Sequence, residues 1–398
     1  MSDMICPVGE VFPFGGPGRF VLSSAQALDE SLAACYEGKV TLIYLDPPFG
    51  TGDSFSIKPP GGKAKLSVPI YNDNLSTEEY LAMMEKVLRL CFRLLSPEGS
   101  LYLHIDYRMS ARLRLMLDEI FGESNFLNEI IWSYKSGGRS LKHYSRKHDT
   151  ILFYRKTPQV YFNISAIGVP RGPQKRNNMK RTVDDQGRIC FSIRSGGKTY
   201  TYYEDTPIYP SDVWDDIEHM HQRDPERTGF ATQKPEALLR RVILASSRPG
   251  DLVADLFSGS GTTAAVASAN GRRFLAVDAS PASMGVLRRR QLAAHRAASL
   301  FSESAGMSIE YPAAPLGDFN ATLNTRRENG RVFLQLDGFE SKLGLAYLAL
   351  GKINEAGFFA PACYTLLPTP GSRLTDESGA SDLAQLIDHG GRMRFLPV

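Results

Sequence analysis

Four consecutive residues, Asp46-Pro47-Pro48-Phe49, combine a carboxylate, two conformationally locked carbonyls and an aromatic face. That set suits one demanding kind of chemistry. An amino group on an aromatic heterocycle is a poor nucleophile, because its lone pair is delocalised into the ring. The Asp46 carboxylate and the fixed Pro47 carbonyl can each accept one N–H of such a group. Nitrogen then bends toward tetrahedral geometry and its lone pair is freed. Two prolines lock φ and aim the carbonyls, and Phe49 offers a flat face to a planar ring such as a nucleobase. Taken alone, the same four residues also read as a Pro-Pro that simply ends a strand.

A second cluster, Asp255-Leu256-Phe257-Ser258-Gly259-Ser260-Gly261-Thr262-Thr263, follows an apolar run and leads into a helical pattern. Gly259 and Gly261 permit positive φ and let the backbone approach a ligand closely. Asp278 ends the next strand, 23 residues beyond Asp255. A carboxylate there can accept both ribose hydroxyls of an adenosine. The turn lacks the full GxGxxG of a dinucleotide site and the Gly-Lys-Ser/Thr of a phosphate loop. By itself a glycine-rich turn is weak evidence; the paired acid at the next strand end strengthens it.

The elements that must position these groups are legible in the periodicity. Thr41–Asp46 is a short apolar run ending in a carboxylate, the pattern of a buried parallel strand opening into a loop. Ser76 and Glu79 form a capping box ahead of a helix running to about Leu95. A strand over Ser100–Asp106, a helix from Met109 to Phe121 stopped by Gly122, and strands at Glu129–Tyr134 and Thr150–Arg155 follow. Pro235 opens a helix to about Ser247. Leu252–Leu256 and Arg273–Asp278 are strands, Thr262–Ala269 a helix, and Ser283–Leu300 a basic helix. This alternation predicts an α/β fold with a doubly wound, mostly parallel sheet. Between about 163 and 211 periodicity fades into polar, basic, turn-rich sequence with short strands at Arg188–Ile193 and Lys198–Tyr203. Residues 307–398 carry strands such as Arg331–Leu336 and Arg392–Leu396 and no recognisable chemistry.

Composition excludes several classes. Of 398 residues, 42% are hydrophobic and 22% charged, an ordinary globular balance. The first residues lack the basic start and apolar core of a signal peptide, and no apolar stretch is long enough for a membrane span, so a cytoplasmic protein with no membrane partner is expected. The five cysteines are scattered without a CxxC pair, and His219 with His221 alone is thin metal evidence, so no metal site is expected. The net charge of +3 demands no polyanion, but its distribution is uneven. Lys135, Arg139, Lys142, Arg146 and Lys147 lie in a stretch without an acid. Arg171 to Lys198 holds a second basic block, including Lys175, Arg176, Lys180 and Arg181. Such runs suit phosphate contacts and equally suit a solvated loop.

Taken together and in this order, the motifs resemble those of the DNA amino-methyltransferases that act at adenine N6 or cytosine N4, specifically the permuted β class, in which the catalytic motif precedes the cofactor motif. The likeness covers roughly residues 20–300 and includes LIYLDPPFGTG (42–52), NFLNEIIWSY (125–134), RKHDTILFYRK (146–156), ERTGFATQKPEALL (226–239) and DLFSGSGTT (255–263). It implies a Rossmann-like methyltransferase sheet and S-adenosylmethionine as methyl donor. It also implies double-stranded DNA as substrate, with the target base flipped out of the duplex. Asp46, Pro47, Pro48 and Phe49 become the catalytic residues. Asp255, Phe257, Gly259, Gly261 and Thr262 become cofactor contacts, with Asp278 on the ribose and Thr232, Gln233 and Lys234 closing over the methionine end. Trp132 and Tyr134 fall near the flipped-base pocket of such enzymes or pack as core aromatics. Where relatives carry Gly-Asp beside the cofactor adenine, this chain reads Leu22-Ser23-Ser24, leaving Ser24 as the acceptor.

The division expected on this basis is 1–163 and 213–306 as the two halves of the methyltransferase domain, 164–212 as an inserted target-recognition segment, and 307–398 as a small β-rich accessory module. Lys135, Arg139, Lys142, Lys175, Arg176, Lys180 and Arg181 are the expected DNA contacts. Relatives carrying Ser in place of Asp46 often act on cytosine, so adenine N6 is the expected target and cytosine N4 the alternative. A C5-cytosine enzyme needs a Pro-Cys nucleophile, which is absent. An RNA or protein methyltransferase is a more distant reading, and a DNA-binding module without activity would be expected to have lost Asp46 or the GSG turn. Dimerisation is frequent among relatives without any residue here marking it. No motif marks a cognate restriction nuclease, and the recognition sequence is not readable.

Overall fold

The computed structural model describes residues 9–12, 17–28, 30–49, 54–57, 68–72, 75–135, 139–172, 178–221, 223–230, 232–297, 306–311 and 319–398. Among these residues a central sheet holds fourteen strands. In chain order they are β1 (Gly9–Phe12), β2 (Gly18–Leu22), β3 (Val40–Leu45), β4 (Leu95–Ile105), β5 (Phe126–Ser133), β6 (His148–Arg155) and β7 (Val213–Trp214). Then come β8 (Leu252–Asp255), β9 (Arg273–Asp278), β10 (Met307–Glu310), β11 (Leu345–Ile353), β12 (Phe358–Leu366), β13 (Leu383–Asp388) and β14 (Met393–Pro397). Across the sheet the order is β7-β5-β6-β4-β3-β8-β9-β2-β10-β1-β12-β11-β13-β14. From β4 through β10 every neighbouring pair is parallel, while β5 and β6 form an antiparallel hairpin on one flank.

Among the described residues six α-helices cover the sheet: α1 (Glu30–Tyr36), α2 (Thr77–Leu94), α3 (Ser110–Phe121), α4 (Glu236–Ser246), α5 (Thr262–Ala269) and α6 (Pro281–Ala297). Side chains alternate across a strand, and the two cores follow that alternation. Leu42 and Tyr44 of β3 join the helices α4, α5 and α6 in one core, whereas Ile43 and Leu45 join α1, α2 and α3 in the other. The sheet is therefore wound on both faces. The capping box ahead of α2 is present: Ser76 N donates to Glu79 Oε2 at 2.9 Å and Glu79 N to Ser76 Oγ at 3.2 Å. The basic helix starts earlier than its periodicity indicates, at Pro281, because the Ser280 hydroxyl accepts from Ala282 N.

Within 164–212 a three-stranded antiparallel sheet (Lys180–Val183, Ile189–Ser195, Lys198–Tyr203) stands apart from the central one. The C-terminal residues are β-rich, with a separate sheet of Ala321–Glu328, Arg331–Phe339 and Arg373–Asp376. They are not a detached appendage. Strand β10 lies between β2 and β1, and β12 continues the sheet from β1. The division expected at residue 306 thus runs through hydrogen-bonded strands. Glu10 of β1, wholly buried, pairs with the equally buried Arg288 of α6, Arg288 Nε donating at 2.9 Å. The physical reason is alternation: Met307 and Ile309 face the core and can be buried only inside the sheet.

Candidate active site

Strands β3 and β8 are parallel neighbours, with Leu42 opposite Val253. The chain leaves β3 toward β4 on one side and β8 toward β9 on the other, so the carboxyl ends of β3 and β8 border the switch point where doubly wound sheets bind ligands. Asp46 and the glycine turn are brought together there by sheet order alone. A cleft of about 920 Å³ opens at this point, lined by Asp46, Pro48, Asp255, Phe257, Gly259, Thr262 and Asp278, and by Ser24, Thr232 and Lys234.

The turn after β8 is built by its own polar groups. Asp255, 4% exposed, accepts from Phe257 N at 3.0 Å and from Thr263 Oγ1 at 2.5 Å. Burial pushes its carboxyl up to about 7, opposed by those two hydrogen bonds and reinforced by the charges of Asp46 and Asp278. Gly259 N and Ser280 N donate to the two oxygens of Asp278 at 2.7 and 2.8 Å. Burial raises the Asp278 carboxyl from its ordinary value, with those backbone donors opposing. A carboxylate has about four lone-pair sites, so acceptor capacity remains for an incoming hydroxyl. Gly261 adopts φ +70°, and a Cβ there would sit 3.1 Å from Leu287 of α6. That conformation and contact fit a role in turn geometry and helix packing, and Gly261 is not among the residues lining the first cleft. Gln233 lines the second cleft rather than the first. Its side chain is buried, accepting from Thr228 N and Oγ1 and donating to Glu226 O, so it ties the 226–233 loop together.

Lys234 does something the sequence pattern does not disclose. Its Nζ lies 2.7 and 2.6 Å from the two Asp46 carboxylate oxygens, with the side chains 12% and 16% exposed. Lys234 and Thr232 also line a second cleft of about 990 Å³, with Phe49, Tyr107, Tyr134, Arg146, Asp149 and His219. Asp46 therefore opens onto the first cleft and Phe49 onto the second.

Behind Phe49 a hydrogen-bonded chain crosses the sheet. The buried Tyr44 hydroxyl lies 2.7 Å from His104 Nδ1, His104 Nε2 lies 3.0 Å from Asp149 Oδ2, and Tyr134 O–H donates to Asp149 Oδ1 at 3.2 Å. The His104 ring stacks on Phe49 with centroids 6.1 Å apart. Burial and the charges of Asp46, Asp255 and Asp149 hold the Tyr44 hydroxyl protonated, so its proton is available to His104 Nδ1. Burial pushes Asp149 upward, but His104, Lys234 and Tyr134 outweigh it and leave the carboxyl lowered to about 2. Of the two aromatics singled out at the end of β5, Tyr134, just past the strand, lines the second cleft, whereas Trp132 is fully buried with Nε1 donating to Ile217 O at 2.8 Å. Trp132 is core.

His104 and Asp149 were missed by motif reading, although a polar pair at adjacent strand ends (SLYLHID and RKHD) is a usable signal. Gln26 and Met83 also line the first cleft with no sequence signal at all, as does Ser258 from within the glycine turn. The expected DNA contacts Lys135, Arg139, Lys142, Lys180 and Arg181 are all exposed. Lys175 and Arg176 lie outside the described residues.

The doubly wound sheet carries one cleft at Asp46 and another at Phe49, three residues apart, which leaves room for two ligands side by side. Residues 40–285 match the DNA methylase family, and the chain belongs to it. It is 29% identical over 364 residues to the type II methyltransferase M.EcaI of Enterobacter cloacae, covering 78% of this chain and 74% of that protein. It is 32% identical over 263 residues to the DNA adenine methyltransferase YhdJ of Escherichia coli (strain K12), covering 65% and 79%. Among solved structures, the cytosine-N4-specific PvuII DNA methyltransferase aligns with a TM-score of 0.46 at 16% identity, covering 75% of this chain and 91% of that one. No helix among the described residues is long and apolar enough to cross a membrane.

The methyl donor of this family is S-adenosylmethionine, and the first cleft fits it. Ala25, Met83, Phe230, Leu239, Leu256 and Phe257 supply apolar walls for a flat adenine. Asp278 retains acceptor capacity for the ribose. The Ser258 hydroxyl, buried in the same wall, has no protein partner and is left for a ligand.

Proposed function

We propose that this chain methylates the exocyclic N6 amino group of adenine in duplex DNA, with the target base flipped into the second cleft. The carrying observation is the position of Asp46-Pro47-Pro48-Phe49 between the two clefts. S-adenosylmethionine supplies a methyl group on a cationic sulfur; the chain's own residues do the rest. Asp278 and Ser24 would hold the adenosine in the first cleft, and Lys234, now paired with Asp46, would serve the donor's carboxylate and so leave the Asp46 oxygens free. Phe49, held by His104, stacks on the extruded base and offsets part of the few kcal/mol lost on unstacking it. Asp46 accepts one N–H of the target amine and the Pro47 carbonyl the other, which localises the nitrogen lone pair. The carboxylate stabilises the positive charge that develops on nitrogen during attack. The C–N bond would form as the donor's sulfur–methyl bond breaks to leave a neutral thioether, and the surplus amine proton passes to Asp46 and on to water.

Aspartate rather than serine at position 46 favours adenine, as does the likeness to a protein named as a DNA adenine methyltransferase. Expression in a host free of DNA methylation, followed by nucleoside mass spectrometry and modified-base sequencing, tests the reading and maps the site. N6-methyladenine is expected, lost in Asp46→Ala with turnover reduced at least ~10²-fold. N4-methylcytosine without N6-methyladenine would overturn the base assignment; no methylated base in DNA would overturn the whole reading.

A further inference from the structure

Strands β5 and β6 are joined by a connection described at residues 134–135 and 139–147, and the latter stretch carries two apolar side chains in water. Leu141 is 103% exposed and Tyr144 is 98% exposed. Single exposed apolar residues are ordinary on a protein surface. Here, however, the turn is built to hold both of them out. Ser140 Oγ accepts from Lys142 N and His143 N at 3.2 and 3.3 Å, and Ser145 Oγ accepts from Ser140 N at 3.3 Å. The base is closed by Tyr134 N donating to Lys147 O at 2.9 Å.

The roots of this projection are walls of the second cleft: Tyr134 on one side, Arg146, His148 and Asp149 on the other. Arg146 is fixed at the mouth, donating to the Tyr107 hydroxyl at 2.5 Å with its guanidinium 4.2 Å from that ring's centroid. From Tyr144 to His148 is four residues, a reach of at most ~14 Å. Arg139 and Lys142 flank the tip, and no acid occurs between Lys135 and Lys147. An apolar tip set in positive charge beside an open cleft matches a phosphate-lined duplex with one position open in its stack.

We propose that Leu141 and Tyr144 form a wedge that enters the DNA stack and fills the space vacated when the target nucleotide turns into the second cleft. The inference rests on the reading of the chain as a methyltransferase acting on an extruded base. An apolar side chain in the gap replaces the stacking lost by the neighbouring base pairs. The wedge therefore stabilises the extruded state, not the chemical step.

The test compares the full chain with the Leu141→Ser/Tyr144→Ser variant on duplexes carrying the mapped site. In one duplex the target base is paired; in the other it faces an abasic position and is already loose. Both side chains are exposed, so unchanged melting and unchanged S-adenosylhomocysteine affinity are the expected controls. On the paired duplex kcat/KM should fall on the order of 10- to 100-fold, and a 2-aminopurine placed at the target should lose its rise in fluorescence. On the abasic duplex most of the loss should disappear. Equal activity of variant and parent on the paired duplex, or an equal loss on both duplexes, would overturn the wedge. A parent chain that methylates neither duplex would instead overturn the functional reading on which the wedge rests.

Discussion

Removing a carboxylate that only serves the target amine should leave donor binding nearly intact. The ion pair with Lys234 changes that expectation for Asp46→Asn. The ammonium sits 2.6 and 2.7 Å from the two carboxylate oxygens, with 12% and 16% of the side chains exposed. At 2.7 Å and an effective dielectric of 20, the gross attraction is about 6 kcal/mol, most of it offset by desolvation. Exposed pairs are worth ~0–1 kcal/mol net, and breaking a fully buried pair costs ~3–5. A pair this sheltered should fall between, near ~1.5–2 kcal/mol. If donor binding has to withdraw Lys234 from Asp46, Asp46→Asn removes that cost and tightens binding ~10- to 30-fold, while turnover falls at least ~10²-fold. The ligand for the assay is S-adenosylhomocysteine, whose neutral sulfur avoids the opposing loss of attraction between Asp46 and a sulfonium. Calorimetry on Asp46→Asn, Lys234→Met and the double variant completes the cycle. Lys234→Met should weaken binding, and Asp46→Asn should have no further effect in that background. An unchanged Kd in Asp46→Asn, or the same tightening with and without Lys234, would refute the exchange.

Asp278→Ala should weaken S-adenosylhomocysteine binding by ~1.5–3 kcal/mol, roughly 10- to 150-fold, because charge-assisted bonds to two ribose hydroxyls are lost; unchanged calorimetric affinity would place the ribose elsewhere. Burial lifts Asp255 to about 7 in the folded chain, against ~3.9 when unfolded. Between those values the folded state binds the extra proton, so this group's contribution to stability falls as pH rises from ~4 to ~7. Denaturant melts without cofactor should therefore show Asp255→Asn gaining ~2–4 kcal/mol relative to the parent between pH 5 and pH 8, and a pH-independent difference would contradict this. Truncation after residue 305 strips β10 and β12 from β1 and leaves its buried Glu10–Arg288 pair at a raw edge. Loss of a cooperative melt is expected; a truncated chain that folds and binds S-adenosylhomocysteine would make the C-terminal strands an independent module.

Much of the fold and part of the site were legible from local sequence. Helix α2 announces itself through Ser76 and Glu79, because a capping box involves residues three apart. The strands ending at Leu45, Asp255 and Asp278 are apolar runs with a carboxylate in or just beyond their last position, and the winding of the chain follows from their alternation with helices. The five ordered motifs were enough to mark the family. What they could not carry is any relation between distant segments. Lys234 reads as part of a cofactor segment, yet it meets Asp46 across 188 positions. Gln233 ties the 226–233 loop together and Gly261 packs against Leu287, relations that no local motif carries. Trp132 and Tyr134, two residues apart, divide between core and cleft: His219 packs against both rings, but only Trp132 lies within β5 with Nε1 on Ile217 O, while Tyr134 follows the strand end at the cleft wall. The strand that joins the C-terminal region to the sheet is ordinary in sequence, and only its place between β1 and β2 reveals it as core. Periodicity reports which face of an element is apolar, since that depends on neighbours one turn or two residues away. Which elements those faces meet depends on the order of strands across the sheet, and that order is settled by packing the whole chain at once.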